Sequence, residues 1–199
     1  KNKPTHFAVI FDSARKNFRN EIYKDYKANR SEAPDDLAPQ FEYIRKAVKA
    51  FNLPSIEQIN YEADDLIATY AEEAAKAGAR VTIVSSDKDL MQLVGGTIDM
   101  VDTMKDKKID VDGVIEKFGV PPEKVIDVQS LAGDSIDNIP GAPGIGLKTG
   151  ALLVNEYGSL DSLLLNYSKI KQNKRRESIE KNLDAIKISK KLVTLKDDI

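Results

Sequence analysis

Three short stretches bring carboxylates together at spacings that could do chemistry. Tyr61-Glu62-Ala63-Asp64-Asp65 carries three acids in four positions, Asp12 closes the apolar run THFAVIFD (5–12), and Asp87 and Asp89 directly follow VTIVSS. Like charges this close repel. A helix N-terminus compensates each acid by only a few tenths to about 1 kcal/mol, too little for several of them in one cleft. A hard divalent cation does compensate them, because Mg²⁺ and Mn²⁺ select oxygen ligands. Acids in a first helical turn and Asp after a strand are also ordinary structural features, and any one segment alone reads that way. Taken together, the three segments point to metal.

A second cluster lies in LAGDSIDNIPGAPGIGLKTGALL (131–153). Asp134 and Asp137 are three apart and face one way on a helical turn. Gly141, Gly144 and Gly146 then form a tight turn before a helix that begins near Leu147. Glycines there let backbone N–H groups approach a phosphate, and Lys148 and Thr149 add a charge and a hydroxyl. This is the logic of a helix–hairpin–helix element, which grips a DNA backbone without reading bases. The Gly-x-x-x-x-Gly-Lys spacing of a Walker loop is absent.

Composition narrows the chemistry. The chain has no cysteine and one histidine, His6, which excludes a thiolate metal site and a Cys nucleophile and argues against His-based acid–base catalysis. Any catalyst is built from carboxylates, Lys, Arg, Tyr or Ser. No apolar run is long enough to span a bilayer and no signal-peptide pattern opens the chain; with the lack of cysteine, a cytoplasmic location is expected. The net charge of −2 is unevenly spread: residues 1–30 hold eight Lys/Arg against three acids, and residues 166–192 hold nine against three. Basic flanks around an acidic centre could grip an anionic polymer, although charge runs are more often solvated helix faces.

The elements that must position these residues follow from periodicity. Residues 5–12 read as a buried strand, 36–51 as an amphipathic helix, 62–76 as a second helix with Leu66, Ile67, Tyr70, Ala71 and Ala74 inward, 79–87 as the clearest strand, 88–94 as a short helix and 97–101 as a third strand. Helical patterns alone follow, at 123–132, 147–157, 159–166 and 174–193. This order predicts an α/β lobe, 1–120, around a mainly parallel sheet flanked by helices, then an all-helical lobe, 121–199, with the seam at Pro121-Pro122. In open α/β sheets ligands bind beyond the carboxyl ends of the strands. Asp12, Asp87 and Asp89 sit at such ends, and Glu62–Asp65 begin the helix between them.

AVIFD (8–12), FRNEIYKDYKANR (18–30), YEADDLIATYA (61–71), SSDKDLMQLV (85–94), KFGVPPEKVID (117–127) and LAGDSIDNIPGAPGIGLKT (131–149) together resemble the 5′-nuclease domain of bacterial DNA polymerase I and, more widely, the flap endonuclease family. The resemblance covers nearly the whole chain and implies a PIN/resolvase-like lobe followed by helices carrying a duplex-binding hairpin. It places Asp12, Glu62, Asp64, Asp65, Asp87, Asp89, Asp134 and Asp137 on the positions of a two-ion metal site. It also makes residues 18–30 the start of a helical arch, with Arg19, Tyr23, Tyr26, Lys27 and Arg30 on DNA. Independently, Tyr23, Tyr26, Lys27 and Arg30 share one helical face that mixes aromatic and cationic groups. By the same resemblance, Gly144, Gly146, Lys148 and Thr149 bind duplex DNA, and the hairpin holds K⁺. The family begins with a strand ending in a further metal-binding Asp and then a helix; this chain has neither, and it lacks a polymerase portion, so it reads either as a domain excised from a polypeptide that also carries a polymerase portion or as a stand-alone nuclease.

The implied activity is two-metal hydrolysis of DNA at a 5′ end or flap, in replication and repair, with Lys27 and Arg30 beside the scissile phosphate. Two other readings stand beside it: a non-catalytic DNA-binding module, and a PIN-type ribonuclease, which the glycine hairpin disfavours.

Overall fold

The computed structural model of the chain describes residues 3–199; Lys1, counted above in the basic N-terminal segment, lies outside the described residues. Strand β1 (Val9–Ile10) pairs in parallel with β2 (Ser55–Ile56). Strand β3 (Val81–Val84) pairs in parallel with β4 (Ile98–Asp102), and β4 pairs antiparallel with β5 (Lys107–Ile109). The expected parallel order is present, distributed over one two-stranded and one three-stranded sheet among the described residues. Strands β2 and β5 carry too few apolar residues to have announced themselves.

Helices α1 (Phe18–Ile22) and α2 (Gln40–Ala50) lie between β1 and β2, and α3 (Ala63–Lys76) crosses from β2 to β3. A 3₁₀ segment, Lys88–Leu93, joins β3 to β4. Helix α4 (Val111–Phe118) was not assigned from sequence; Asp110 caps it by accepting from Gly113 N–H, and Gly119 ends it at φ 74°. Helices α5 (Val125–Ala132), α6 (Leu147–Tyr157), α7 (Leu160–Asn166), α8 (Asn173–Lys181) and α9 (Leu183–Val193) complete the chain. The pattern over 174–193 is thus two helices, broken at Asn182.

The amphipathic stripes of α4 to α7 meet the β3–β4 sheet. Ile83 and Met100 from the sheet, Val114 and Phe118 from α4, Val128 and Leu131 from α5, and Leu153 and Leu163 from α6 and α7 form one continuous buried cluster. This core runs across Pro121-Pro122, so the acids of both halves stand on one packed body. Of the inner face expected for α3, Leu66 and Ala71 are buried, Ile67 and Ala74 half-buried and Tyr70 exposed; Ala68 is buried as well. Helix α2 buries none of its residues, and its apolar positions Phe41 and Ile44 are exposed.

The arch start departs most from expectation. Only Phe18–Ile22 is helical, capped by Asn17, whose side chain accepts from Arg19 N–H at 2.8 Å. The chain then leaves the helix at Tyr23 and turns, with Lys27 at φ 56°. Tyr23, Tyr26, Lys27 and Arg30 therefore do not share a helical face. Tertiary contacts decide it: Lys27 N–H donates to Asp137 O at 2.9 Å, and Tyr26 Oη–H donates to Glu62 at 3.0 Å.

Candidate metal centre and nucleic-acid interface

Each acidic segment reaches the same cleft by a local device. Beyond β1, Asp12 Oδ1 accepts Ala63 N–H at 2.8 Å, so the strand-end acid caps the first turn of α3 beside Asp64. Beyond β3, Asp87 starts the 3₁₀ segment by accepting Asp89 N–H at 3.0 Å. Helix α5 ends at Gly133, and Asp134 folds the chain back by accepting N–H of Ile136 at 2.7 Å and of Asp137 at 3.3 Å. Asp134 and Asp137 thus share a tight turn, not the helical turn that their spacing suggested. Together Asp12, Glu62, Asp64, Asp87, Asp89, Asp134 and Asp137 line a cleft of about 700 Å³.

Asp65, the eighth sequence candidate, is not there. It is fully buried and accepts from Arg19 at 2.6 and 2.7 Å, from Glu62 N–H at 3.0 Å and from Lys196 N–H at 2.9 Å. Its oxygens are committed to this ion pair and to backbone N–H groups, away from the cleft lining. Arg19 is corrected with it. Its guanidinium, 1% exposed, also donates to Leu192 O at 2.8 Å and to Glu62 at 3.2 Å, and so is turned away from the surface. Tyr26 is buried with its hydroxyl on Glu62, so it cannot stack on a base. Burial, then the charge of Glu62, pushes its pKa far above the usual phenol range. Tyr23 is half-buried, Lys27 pairs with Glu62 and lies 3.7 Å from Asp137, and Arg30 pairs with Asp137.

The charges in the cleft are unevenly compensated. The Asp64 carboxylate makes no ion pair or hydrogen bond among the described residues; burial, then repulsion from Asp87, Glu62 and Asp89, pushes its pKa up to about 8. Burial also raises Asp89, although Lys88 and a hydrogen bond from Gln129 at 2.5 Å oppose it. Lys88 pairs with Asp134 and lies 3.5 Å from Asp89. Burial pulls the Lys88 ammonium down, but Asp134 and Asp89 outweigh it and keep it firmly cationic. Neither Lys88 nor Gln129 was singled out from sequence. The Asp-Lys-Asp order at 87–89 signalled the first, and a polar residue inside the apolar run of α5 signalled the second.

The donor set is carboxylate oxygen throughout, with its repulsion concentrated on Asp64, and this suits a hard divalent cation. Among the described residues no three of these acids already enclose a single point; cationic side chains stand between them instead.

The glycine hairpin is built as its residues require. Gly133 and Gly141, at φ 67° and 56°, pack backbone to backbone with no room for a Cβ. Gly144 (φ 80°) and Gly146, the N-cap of α6, face open space; Lys148 is exposed and Thr149 half-buried. The first N–H groups of α6 have no intrahelical acceptor and carry the positive end of the helix dipole.

Residues 1–119 match the family model of the 5′-3′ exonuclease N-terminal resolvase-like domain, and residues 120–199 match that of the 5′-3′ exonuclease C-terminal SAM fold. The chain belongs to the 5′-3′ exonuclease family. Within that family it is 59% identical over 196 residues to DNA polymerase I of Rhizobium leguminosarum, covering 98% of this chain and 19% of that protein. It is 39% identical over 199 residues to the 5′-3′ exonuclease of Aquifex aeolicus (strain VF5), covering 100% of this chain and 68% of that protein. The chain therefore spans about a fifth of the polymerase relative's length. Its fold is that of the T5 D15 flap endonuclease in a pseudo-enzyme-product complex with DNA and metal ions, with TM-score 0.84, 23% identity, and 96% of this chain and 75% of that one covered. No helix among the described residues of this exonuclease-family chain is long and apolar enough to cross a membrane.

Proposed function

We propose that this chain is a metal-dependent 5′ nuclease. It hydrolyses DNA phosphodiesters at a 5′ single-stranded end or flap next to duplex, as a 5′→3′ exonuclease and 5′-flap endonuclease in replication and repair, alongside a polymerase portion of the same polypeptide. The observation that carries this reading is Asp64, an acid without an ion pair among the described residues, which shares the cleft with Asp87, Glu62 and Asp89. Asp12, Glu62, Asp64, Asp87, Asp89, Asp134 and Asp137 would hold two Mg²⁺ or Mn²⁺ ions. When bound, such ions supply a water of lowered pKa and charge stabilisation for an in-line displacement.

The chain's own side chains bind and orient the substrate. Lys27 and Arg30, in the same cleft, put positive charge beside the scissile phosphate. With Tyr26 buried, Tyr23 is the arm aromatic left to meet a base. Gly144 and Gly146 admit a phosphate to the backbone N–H groups at the start of α6, Lys148 and Thr149 add a charge and a hydroxyl, and K⁺ at this hairpin would add to the attraction.

A labelled 5′-flap duplex tests the reading: Mg²⁺ supports cutting, EDTA stops it, and Asp87→Ala lowers cutting by at least about 100-fold while DNA binding persists. Wild-type cutting by Asp87→Ala refutes the site assignment. A second reading, a DNA-binding module that does not cut, draws on the absence of a pre-formed ligand set among the described residues; binding without cleavage in both Mg²⁺ and Mn²⁺ favours it.

A further inference from the structure

Lys88 is the first residue of the 3₁₀ segment between Asp87 and Asp89, and its side chain reaches out of that segment to the turn after α5. Its ammonium pairs with Asp134, lies 3.5 Å from Asp89 and lines the cleft at 30% exposure. It is the one cation that ties an acid following β3 to an acid following α5, and no backbone hydrogen bond duplicates that link among the described residues. Within this triad two carboxylates and one ammonium leave a single net negative charge, whereas Asp64 has no ion-pair partner among the described residues.

We propose that Lys88 is a resident counter-ion, a positioning residue that holds Asp134 against Asp89 while the cleft is metal-free and must release Asp134 when a divalent cation enters. The proposal rests on the metal reading above. It follows from competition for one carboxylate: an oxygen that accepts from an ammonium does not at the same time present its full charge to a second cation. A fixed positive charge a few ångströms from an incoming divalent ion also opposes it directly, and does so more strongly in a partly buried cleft than in water. Lys88 thus lowers the cation affinity of the empty protein and protects the fold from its own acids. Once released, its ammonium is free for a phosphate oxygen, so that ion entry and substrate contact are coupled through one side chain. Lys27, paired with Glu62, stands in a similar relation to the opposite acids.

Mn²⁺ titration of the DNA-free chain, followed by loss of the free-ion paramagnetic resonance signal, tests this with no activity readout. Lys88→Met is expected to tighten the apparent Mn²⁺ dissociation constant by about tenfold, while Lys88→Arg stays within about twofold because the charge is kept. A parallel measurement needs no variant: in wild type, acylation of Lys88 by an amine-reactive ester, read by mass spectrometry, rises on addition of Mn²⁺. Unchanged or weaker Mn²⁺ binding in a folded Lys88→Met, or acylation of Lys88 indifferent to Mn²⁺, overturns the proposal. If wild type itself takes up no Mn²⁺, the metal reading falls, and this inference with it; if wild type binds Mn²⁺ and only the Lys88 results fail, the metal reading stands alone.

Discussion

Asp65 is fully buried and accepts from Arg19 at 2.6 and 2.7 Å, whereas Asp64, one position earlier, faces Asp87 and Glu62 in the cleft with no ion pair among the described residues. Replacing Arg19 with Met therefore leaves a buried carboxylate uncompensated, at a cost of about 3–5 kcal/mol, read by urea denaturation. A loss near zero means that Asp65 is not committed to that pair. Asp64 acts in the opposite sense. Its carboxyl binds a proton more tightly in the folded state, with a pKa of about 8 against an ordinary 3.8, so the metal-free fold loses stability as pH rises across that interval. Asp64→Asn is expected to remove this decline, raising the melting temperature in EDTA at pH 8 and leaving it little changed near pH 4, while cutting falls. Equal pH slopes for wild type and variant count against the assignment. The sequence marked Glu62, Asp64 and Asp65 as one group but could not divide them. What divides them is a guanidinium 46 residues from Asp65, held in place by donating to Leu192 O.

The glycine hairpin and α3 were the most legible elements, because glycine, proline and apolar spacing act locally. Helix α3 ends at Lys76, just before Gly78 at φ 84°, as its sequence indicates. The arm at 18–30 was the least legible. Its aromatic-cationic spacing fits a helix, yet Asp137 and Glu62 pull Lys27 and Tyr26 out of one, and Lys27 takes a left-handed φ of 56° that such contacts must sustain. Helix α4 and strand β5 escaped notice because Gly113 interrupts the one and Lys107 and Lys108 dominate the other. The hairpin gives an element-level prediction. Gly141→Ala forces a Cβ into the backbone of Gly133 at a positive φ, and should cost about 1–3 kcal/mol in chemical denaturation. Gly146→Ala, at φ −91° in open space, should stay within about 0.5 kcal/mol. Equal losses at both positions contradict the packing described.

At the scale of the molecule, one core carries acids from β1, α3, β3 and the turn after α5 to a common cleft. Sequence order placed the first three segments at one edge through the rule for strand ends. It did not place Asp134 and Asp137 there, because no local pattern says how α5 docks on the sheet; Val128 and Leu131 do that by burial. A cation that binds only the folded cleft stabilises it by mass action, so Mg²⁺ should raise the melting temperature of wild type more than that of Asp64→Asn. The most direct measurement is anomalous diffraction from crystals of the chain soaked in Mn²⁺. The expected result is manganese density inside the cleft, against Asp64 and Asp87. Crystals that take up manganese only at outer surfaces, with Asp64 and Asp87 untouched, contradict the claim that these acids converge to hold a divalent ion.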